Sequence, residues 1–404
     1  MSEPLVVIGN GMAAARFVEE LDARARGRYA VAVIGAEPAL AYNRVLLSSV
    51  LAGETPADKI ELKPAAWWRA RGVTLVYGKA VARIDLPARA VMLESGRFIP
   101  FSKLVLATGS RAMRLPLPGM DLPGVLTFRD LADVAAMTRF AAAGQRAVVI
   151  GGGLLGLEAA YGLARHGARV TVLHLMDRLM ERQLDPRAAA LLKQAVEAKG
   201  IEVVLNAETA ALEGEGRVRS VLLKDGRRFD ADLVIAALGV RPNAELASGA
   251  GIAIGRGIAV DDGLETSATD VFAIGECAEH RGIGYGLVEP AYEQARVLAS
   301  RLAGGSVAYS GSVLATNLKV SGVSVFSAGE FLGAAGAEEI VLSDPGIALY
   351  KKLVIRDGRL TGAVLFGDTA DALWYLDLIR SGETIEPFRD DLAFGRALAL
   401  RKAA

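Results

Sequence analysis

Two short glycine-rich runs carry the chemistry most legible in this chain: Gly9-Asn10-Gly11-Met12-Ala13-Ala14 and Gly151-Gly152-Gly153-Leu154-Leu155-Gly156. Each follows an apolar stretch, residues 5–8 or 147–150, and opens a helical pattern. In such a place the first glycine permits a tight turn and the second lets backbone approach a pyrophosphate. A small residue in the sixth position, Ala14 or Gly156, lets helix pack closely on strand. The new helix then turns its unpaired N–H groups toward the phosphates. One such cradle reads as a dinucleotide binder, and two in one chain read as a protein that passes electrons between two dinucleotides.

Other residues gather around the two runs. Glu37 follows the apolar stretch 30–34, where an acid accepts both hydroxyls of an adenosine ribose and repels a 2′-phosphate. Arg44, beyond the same strand end, is a candidate for a pyrophosphate or a flavin edge, or else a solvated arginine. Ala107-Thr108-Gly109-Ser110 ends a further buried-strand pattern, so its backbone is placed to pass close to a cofactor. Gly275 and Glu276 end a short strand, where Glu276 reaches ribityl hydroxyls, or pyrophosphate through water, unless it is a helix cap. The helix signalled from residue 287 has Pro290 near its start and free N–H groups suited to charge on a reduced flavin.

In the second unit Glu158 lies just inside the helix, either orienting a nicotinamide with help from the helix dipole or simply capping. The strand at 169–173 ends in His174 rather than an acid, with Asp177, Arg178 and Arg182 beyond it. NADH is therefore favoured but not enforced, because either arginine is able to take a 2′-phosphate. Gly239, in Gly239-Val240-Arg241-Pro242-Asn243, closes this unit and completes the cofactor-binding candidates. Lys59 is a weaker candidate for the active cleft, and Trp67 and Trp68 read as core.

The elements that must position these residues follow from the same patterns. A chain of 404 residues exceeds one ordinary core. The expected fold class is α/β: two Rossmann-like domains, the second inserted in the first, plus a C-terminal α+β domain. The expected boundaries are 1–120 and 245–310 for the first, 121–244 for the second, and 311–404 for the tail. The insertion is expected to set two ligand faces across a cleft. In the tail, Trp374 and Tyr375 are candidates for a homodimer or redox-partner contact, or for core.

Composition excludes several classes. No apolar run reaches the 18 or more residues of a membrane span. The N-terminus passes into the first strand without a basic, cleavable leader, so a cytoplasmic protein is expected. The 46 basic and 46 acidic residues are scattered, leaving no stripe for nucleic acid. A single cysteine, Cys277, precludes an intramolecular disulfide, a CxxC pair, or a cysteine-ligated iron–sulfur cluster built by this chain alone. The three histidines, His166, His174 and His280, lie apart without metal-ligand spacing, so no metal site is expected.

From Leu5 to about Leu302 the chain resembles the two-dinucleotide-domain flavoprotein reductases of the glutathione-reductase-like superfamily. GNGMAA, Glu37, ATGS at 107–110, GGGLLG with Glu158, ALGVRPN at 237–243 and AIGE at 273–276 carry the likeness. AYNRVLLSSVLAGE at 41–54, VTVLHLMDRLMERQLD at 170–185, GECAEHRG at 275–282 and LKVSGVSVFSAGE at 318–330 resemble the flavin-binding front of NAD(P)H-dependent assimilatory nitrite reductase large subunits. Rubredoxin reductases are similar as well. The resemblance implies FAD on the first domain, contacted by Arg44 and Glu276, and NADH, with NADPH open, on the second beside Glu158. Full-length relatives continue into iron–sulfur and siroheme modules, so the resemblance implies a separate electron acceptor: rubredoxin, ferredoxin, or a nitrate or nitrite reductase component. An NAD(P)H oxidase or quinone reductase is the alternative enzyme, and a non-catalytic flavin-binding module the alternative outside enzymes.

Overall fold

The computed structural model describes residues 2–141, 144–320 and 322–400, with 317–320 described by backbone alone. Ser321, inside the tail motif quoted above, lies outside the described residues. The chain divides into two units. One comprises residues up to 47, then 55–111 and 240–312; the other comprises 48–54, 112–239 and the chain from 313 onward.

In the first unit the strand Glu3–Ile8 runs parallel to Tyr29–Gly35 on one side and Lys103–Leu106 on the other. Val271–Ala273 and Thr74–Tyr77 complete a five-stranded parallel sheet. The unbroken apolar run 5–8 is explained by burial on both faces. Leu5 and Val7 enter one core, and Val6 and Ile8 enter the other. Helix Met12–Ala25 closes the first core with Ala14, Phe17, Val18 and Leu21, together with Ala295, Leu298 and Leu302 of helix Val288–Leu302. Trp68 is fully buried in the same core. Each large side chain so buried contributes about 1.5–3 kcal/mol. An antiparallel meander, Val81–Asp85, Ala90–Leu93 and Phe98–Pro100, contributes Ile84, Val91 and Leu93 to the other core.

The second unit repeats this plan. Its parallel sheet runs Glu202–Val204, Arg169–Leu173, Arg146–Ile150, Leu233–Ala236, Val125–Leu126, and a second meander is formed by Thr209–Glu213, Ser220–Leu223 and Arg228–Asp230. The tail adds an antiparallel sheet in the order Ala315–Val320, Val323–Gly329, Arg359–Phe366, Leu349–Arg356, Glu338–Asp344. Helix Ala372–Ser381 covers it, with Tyr375 and Leu378 packed on Phe326, Leu353 and Leu365. Tyr375 is fully buried, and Trp374 lies 5.9 Å from the Phe388 ring. Among the described residues no helix is long and apolar enough to cross a membrane.

Candidate dinucleotide sites

Both glycine runs occupy the turn between the central strand and the following helix. Gly9 has φ +116° and Gly151 φ +120°, a region that strongly favours glycine. A Cβ on Gly9 would collide with the carbonyl oxygen of Ala107, and one on Gly151 with that of Ala237. The N–H of Gly9 donates to Ile34 O at 2.7 Å, and that of Gly151 to Leu173 O at 2.8 Å. These two glycines are therefore required by the protein's own backbone.

Gly11 and Gly153 are different. Their φ angles, −102° and −81°, are open to any residue, and a Cβ on either would meet nothing within 4 Å. Neither conformation nor packing within the chain calls for glycine there. What the missing side chains preserve is space in front of a helix N-terminus. Helices Met12–Ala25 and Leu154–Arg165 both begin without a side-chain cap and without an acid in the first turn. Helices Leu131–Phe140 and Pro186–Glu197, by contrast, are capped by Asp130 and Asp185. Two cradles with free N–H groups fit two pyrophosphates, so the residues present suit a dinucleotide cofactor in each unit.

Around the first cradle the structure gathers most of the sequence candidates. Gly275, at φ +81°, has room for no Cβ, because Ala13 Cβ would lie 2.9 Å away. Ser110 Oγ donates to Glu276 at 2.8 Å. Thr108 and Asn243 exchange bonds: Thr108 Oγ1 donates to Asn243 O at 2.7 Å, and Asn243 Nδ2 donates to Thr108 O at 2.9 Å. Gly109 stands at φ +65° with open space about it, and Gly239 does the same at φ +99° at the matching place in the second unit. Glu37 and Arg44 form an ion pair, and Tyr42 OH donates to the other Glu37 oxygen at 2.7 Å. The acid and the arginine thus form one group with Tyr42, whose ring lies 4.9 Å from the guanidinium. Lys59 is exposed, with Asp58 at 3.9 Å. Cys277 is fully buried, its Sγ directed at the carbonyls of Leu106 and Ile274, and burial raises its thiol pKa. That environment disfavours a thiolate.

At the second cradle Glu158 lies in the helix's second turn. The expectation that the dipole favours its charge is corrected: burial outweighs it and pushes the carboxyl up to about 7, opposed only in part by a hydrogen bond from Ser48. The same helix face meets the segment 48–54 again, with His166 Nε2 2.7 Å from Leu51 O and Tyr161 OH 3.3 Å from Glu54. Arg178 pairs with Asp177 at 3.0 Å, while Arg182 is 86% exposed.

Strand register also shows which residue of the second unit matches Glu37. Ile34 lies opposite Ile8 and Leu173 opposite Ile150, so His174 matches Gly35 and Met176 matches Glu37. An exposed methionine, rather than His174, stands where the acid would be.

The model of the pyridine nucleotide-disulphide oxidoreductase family matches residues 3–296, and that of the rubredoxin NAD+ reductase C-terminal domain matches residues 315–383. The chain belongs to the pyridine nucleotide-disulphide oxidoreductases. It is 45% identical over 368 residues to a nitrite reductase [NAD(P)H] of Bacillus subtilis, covering 91% of this chain and 46% of that protein. It is 42% identical over 374 residues to the assimilatory nitrate reductase electron transfer subunit of the same organism, covering 92% and 48%. The chain thus spans about half the length of these curated relatives. Among solved structures, the ferredoxin reductase for the CYP199A2 system of Rhodopseudomonas palustris superposes with TM-score 0.88 at 28% identity, covering all of both chains.

Gln294 and Ser48 escaped sequence reasoning, and His174 was named there only as the residue that ends its strand. Gln294 is buried and its Oε1 accepts the N–H of Gly275 at 2.7 Å, holding the corner that carries Glu276. Ser48 bonds Glu158, and His174 bonds the second glycine run. The one available signal for Gln294 was a polar residue on the buried stripe of an amphipathic helix.

Proposed function

We propose that this protein takes hydride from NAD(P)H, with NADH preferred, and passes the electrons to a separate protein of the iron–sulfur or rubredoxin type or to a nitrate or nitrite reductase component. In this reading, residues 1–120 and 245–310 seat FAD, 121–244 seat the nicotinamide nucleotide, and 311–404 form the interface domain. The reaction is placed in the cytoplasm, where reduced nicotinamide nucleotides are supplied. Bound FAD supplies the conversion of a two-electron hydride into single electrons. The chain supplies binding, orientation and electrostatics. Gly9, Gly11, Met12, Ala13, Ala14, Ala107, Thr108, Gly109 and Gly275 would hold FAD, with Glu37 and Arg44 at the ribose side and Glu276 beside Ser110. Gly151, Gly153, Gly156 and Gly239 would hold the nicotinamide nucleotide. Glu158, carrying a proton for part of the time near neutrality, both donates and accepts hydrogen bonds toward a carboxamide.

The observation that carries this reading is the pair Gly11 and Gly153, glycines for which the chain itself has no use. The names of the relatives, among them an electron transfer subunit and a ferredoxin reductase, support the choice of acceptor. The test is anaerobic mixing with NADH, expected to bleach the bound flavin, followed by stopped-flow reoxidation with a panel of ferredoxins and rubredoxins. Flavin that stays oxidised refutes the donor. Fast turnover with oxygen or quinone and none with the protein panel refutes the acceptor.

A further inference from the structure

The two cradles differ in one exchange of bulk. In the first, Asn10 follows Gly9 and Gly35 follows the neighbouring strand's Ile34; a Cβ on Gly35 would lie 2.6 Å from Asn10 Cβ. In the second the sizes are reversed. Gly152 takes the loop position and His174 the strand-end position, and a Cβ on Gly152 would lie 2.5 Å from Leu179 Cδ2 and 2.7 Å from His174 Cγ.

The histidine also makes a bond. Its Nδ1 accepts the N–H of Gly152 at 3.0 Å, and its Nε2 lies 3.1 Å from Glu181 Oε2. A backbone N–H is only a donor, so Nδ1 presents its lone pair and the ring proton sits on Nε2, directed at the Glu181 carboxylate. His174 is 7% exposed and Gly152 is buried, so water has little access to replace this acceptor. The loop is tied on two further sides, by Gly151 N–H to Leu173 O at 2.8 Å and by Met180 N–H to Gly152 O at 3.1 Å.

We propose that His174 is a positioning residue for the nicotinamide nucleotide, its ring holding Gly152 so that Gly153 and the helix N-terminus behind it keep the shape that receives the pyrophosphate. Glu181 fixes the ring tautomer that makes this possible. The proposal rests on the second cradle's being the nicotinamide dock.

The test uses the FAD-loaded full chain. His174→Leu keeps bulk and removes the acceptor, whereas His174→Asn returns an oxygen close to where Nδ1 stood. An unpaired buried N–H predicts that KM for NADH, and the NADH dissociation constant by calorimetry, rise about tenfold in His174→Leu with kcat within about twofold. FAD content should equal wild type, and His174→Asn should recover NADH affinity to within about threefold of wild type. Unchanged NADH affinity in His174→Leu overturns the proposal, and so does a His174→Asn variant as weak as His174→Leu. Should His174→Leu not fold, Glu181→Leu is read instead: a rise of about threefold in KM at constant kcat supports the role, and no change overturns it. Failure of NADH to bleach wild-type flavin would sink the reductase reading separately, since calorimetry still reports whether His174 shapes NADH binding.

Discussion

Replacing Glu158 by glutamine tests whether burial governs this carboxyl. Its pKa rises from an ordinary 4.5 to about 7 on folding, chiefly by desolvation. A raised pKa in an acid contributes stability that is fully present below the unfolded value and is lost as pH rises through the folded one. With these two values, the shift lowers folding stability, relative to a carboxyl that kept its ordinary pKa, by about 1.4 kcal/mol near pH 5.5 and about 3.4 kcal/mol near pH 8.5. Glutamine keeps the shape and the capacity to accept from Ser48 but never ionises. The stability gap between Glu158→Gln and wild type should therefore widen in favour of the variant by about 2 kcal/mol between those pH values. In a unit of this size that is a relative Tm shift of about 4–8 °C. Thermal melts of both proteins at the two pH values, followed by flavin fluorescence, make the comparison. The same substitution should remove an inflection near pH 7 from the rate of flavin reduction by NADH. A Tm gap independent of pH, or one that widens against the variant as pH rises, would refute the reasoning.

Gly9→Ala and Gly11→Ala should separate fold from binding. The first collides with the Ala107 carbonyl at φ +116° and should yield misfolded or strongly destabilised protein; the second should keep its circular dichroism spectrum and lose FAD on dialysis. Equal FAD retention by Gly11→Ala and wild type would count against the first cradle as a flavin seat. Gln294→Leu strands the buried Gly275 N–H at a cost of about 1–3 kcal/mol, so Tm and flavin retention should fall together. Asp185 both caps the helix Pro186–Glu197 through the Ala188 N–H at 3.0 Å and accepts Tyr350 OH at 2.5 Å. Asp185→Ala should therefore cost about 2–4 kcal/mol by denaturant unfolding, while Asp185→Asn keeps most of that; equal loss in the two variants would remove the hydrogen bonds as the cause.

The architecture was legible where backbone geometry dictates residue type. Gly9 and Gly151 sit at positive φ beneath a carbonyl, so strand, turn and helix announce themselves in the primary structure. The two meanders and the strand Ala315–Val320 were not legible, because Ala-Thr-Asn-Leu-Lys-Val lacks a clean alternation and acquires its register only from Val323–Gly329. Side-chain partners across long separations were hidden for a related reason. Ser48 stands far from Glu158 in sequence, and Gln294 meets Gly275 only after the helix docks. The position matching Glu37 fell on Met176 rather than His174 because strand pairing, which decides equivalence, is invisible in a single chain.

The uncapped starts of Met12–Ala25 and Leu154–Arg165 bear on cellular supply as well as on binding. A protein that leaves these N–H groups for a ligand is stabilised by the ligand through mass action, by about 2.7 kcal/mol at a hundredfold excess over Kd. Flavin scarcity would therefore lower not only the active fraction of this protein but its abundance, since the cofactor-free chain unfolds and is degraded more readily. With FAD in the first cradle, flavin supply and protein level would be coupled without any dedicated regulator.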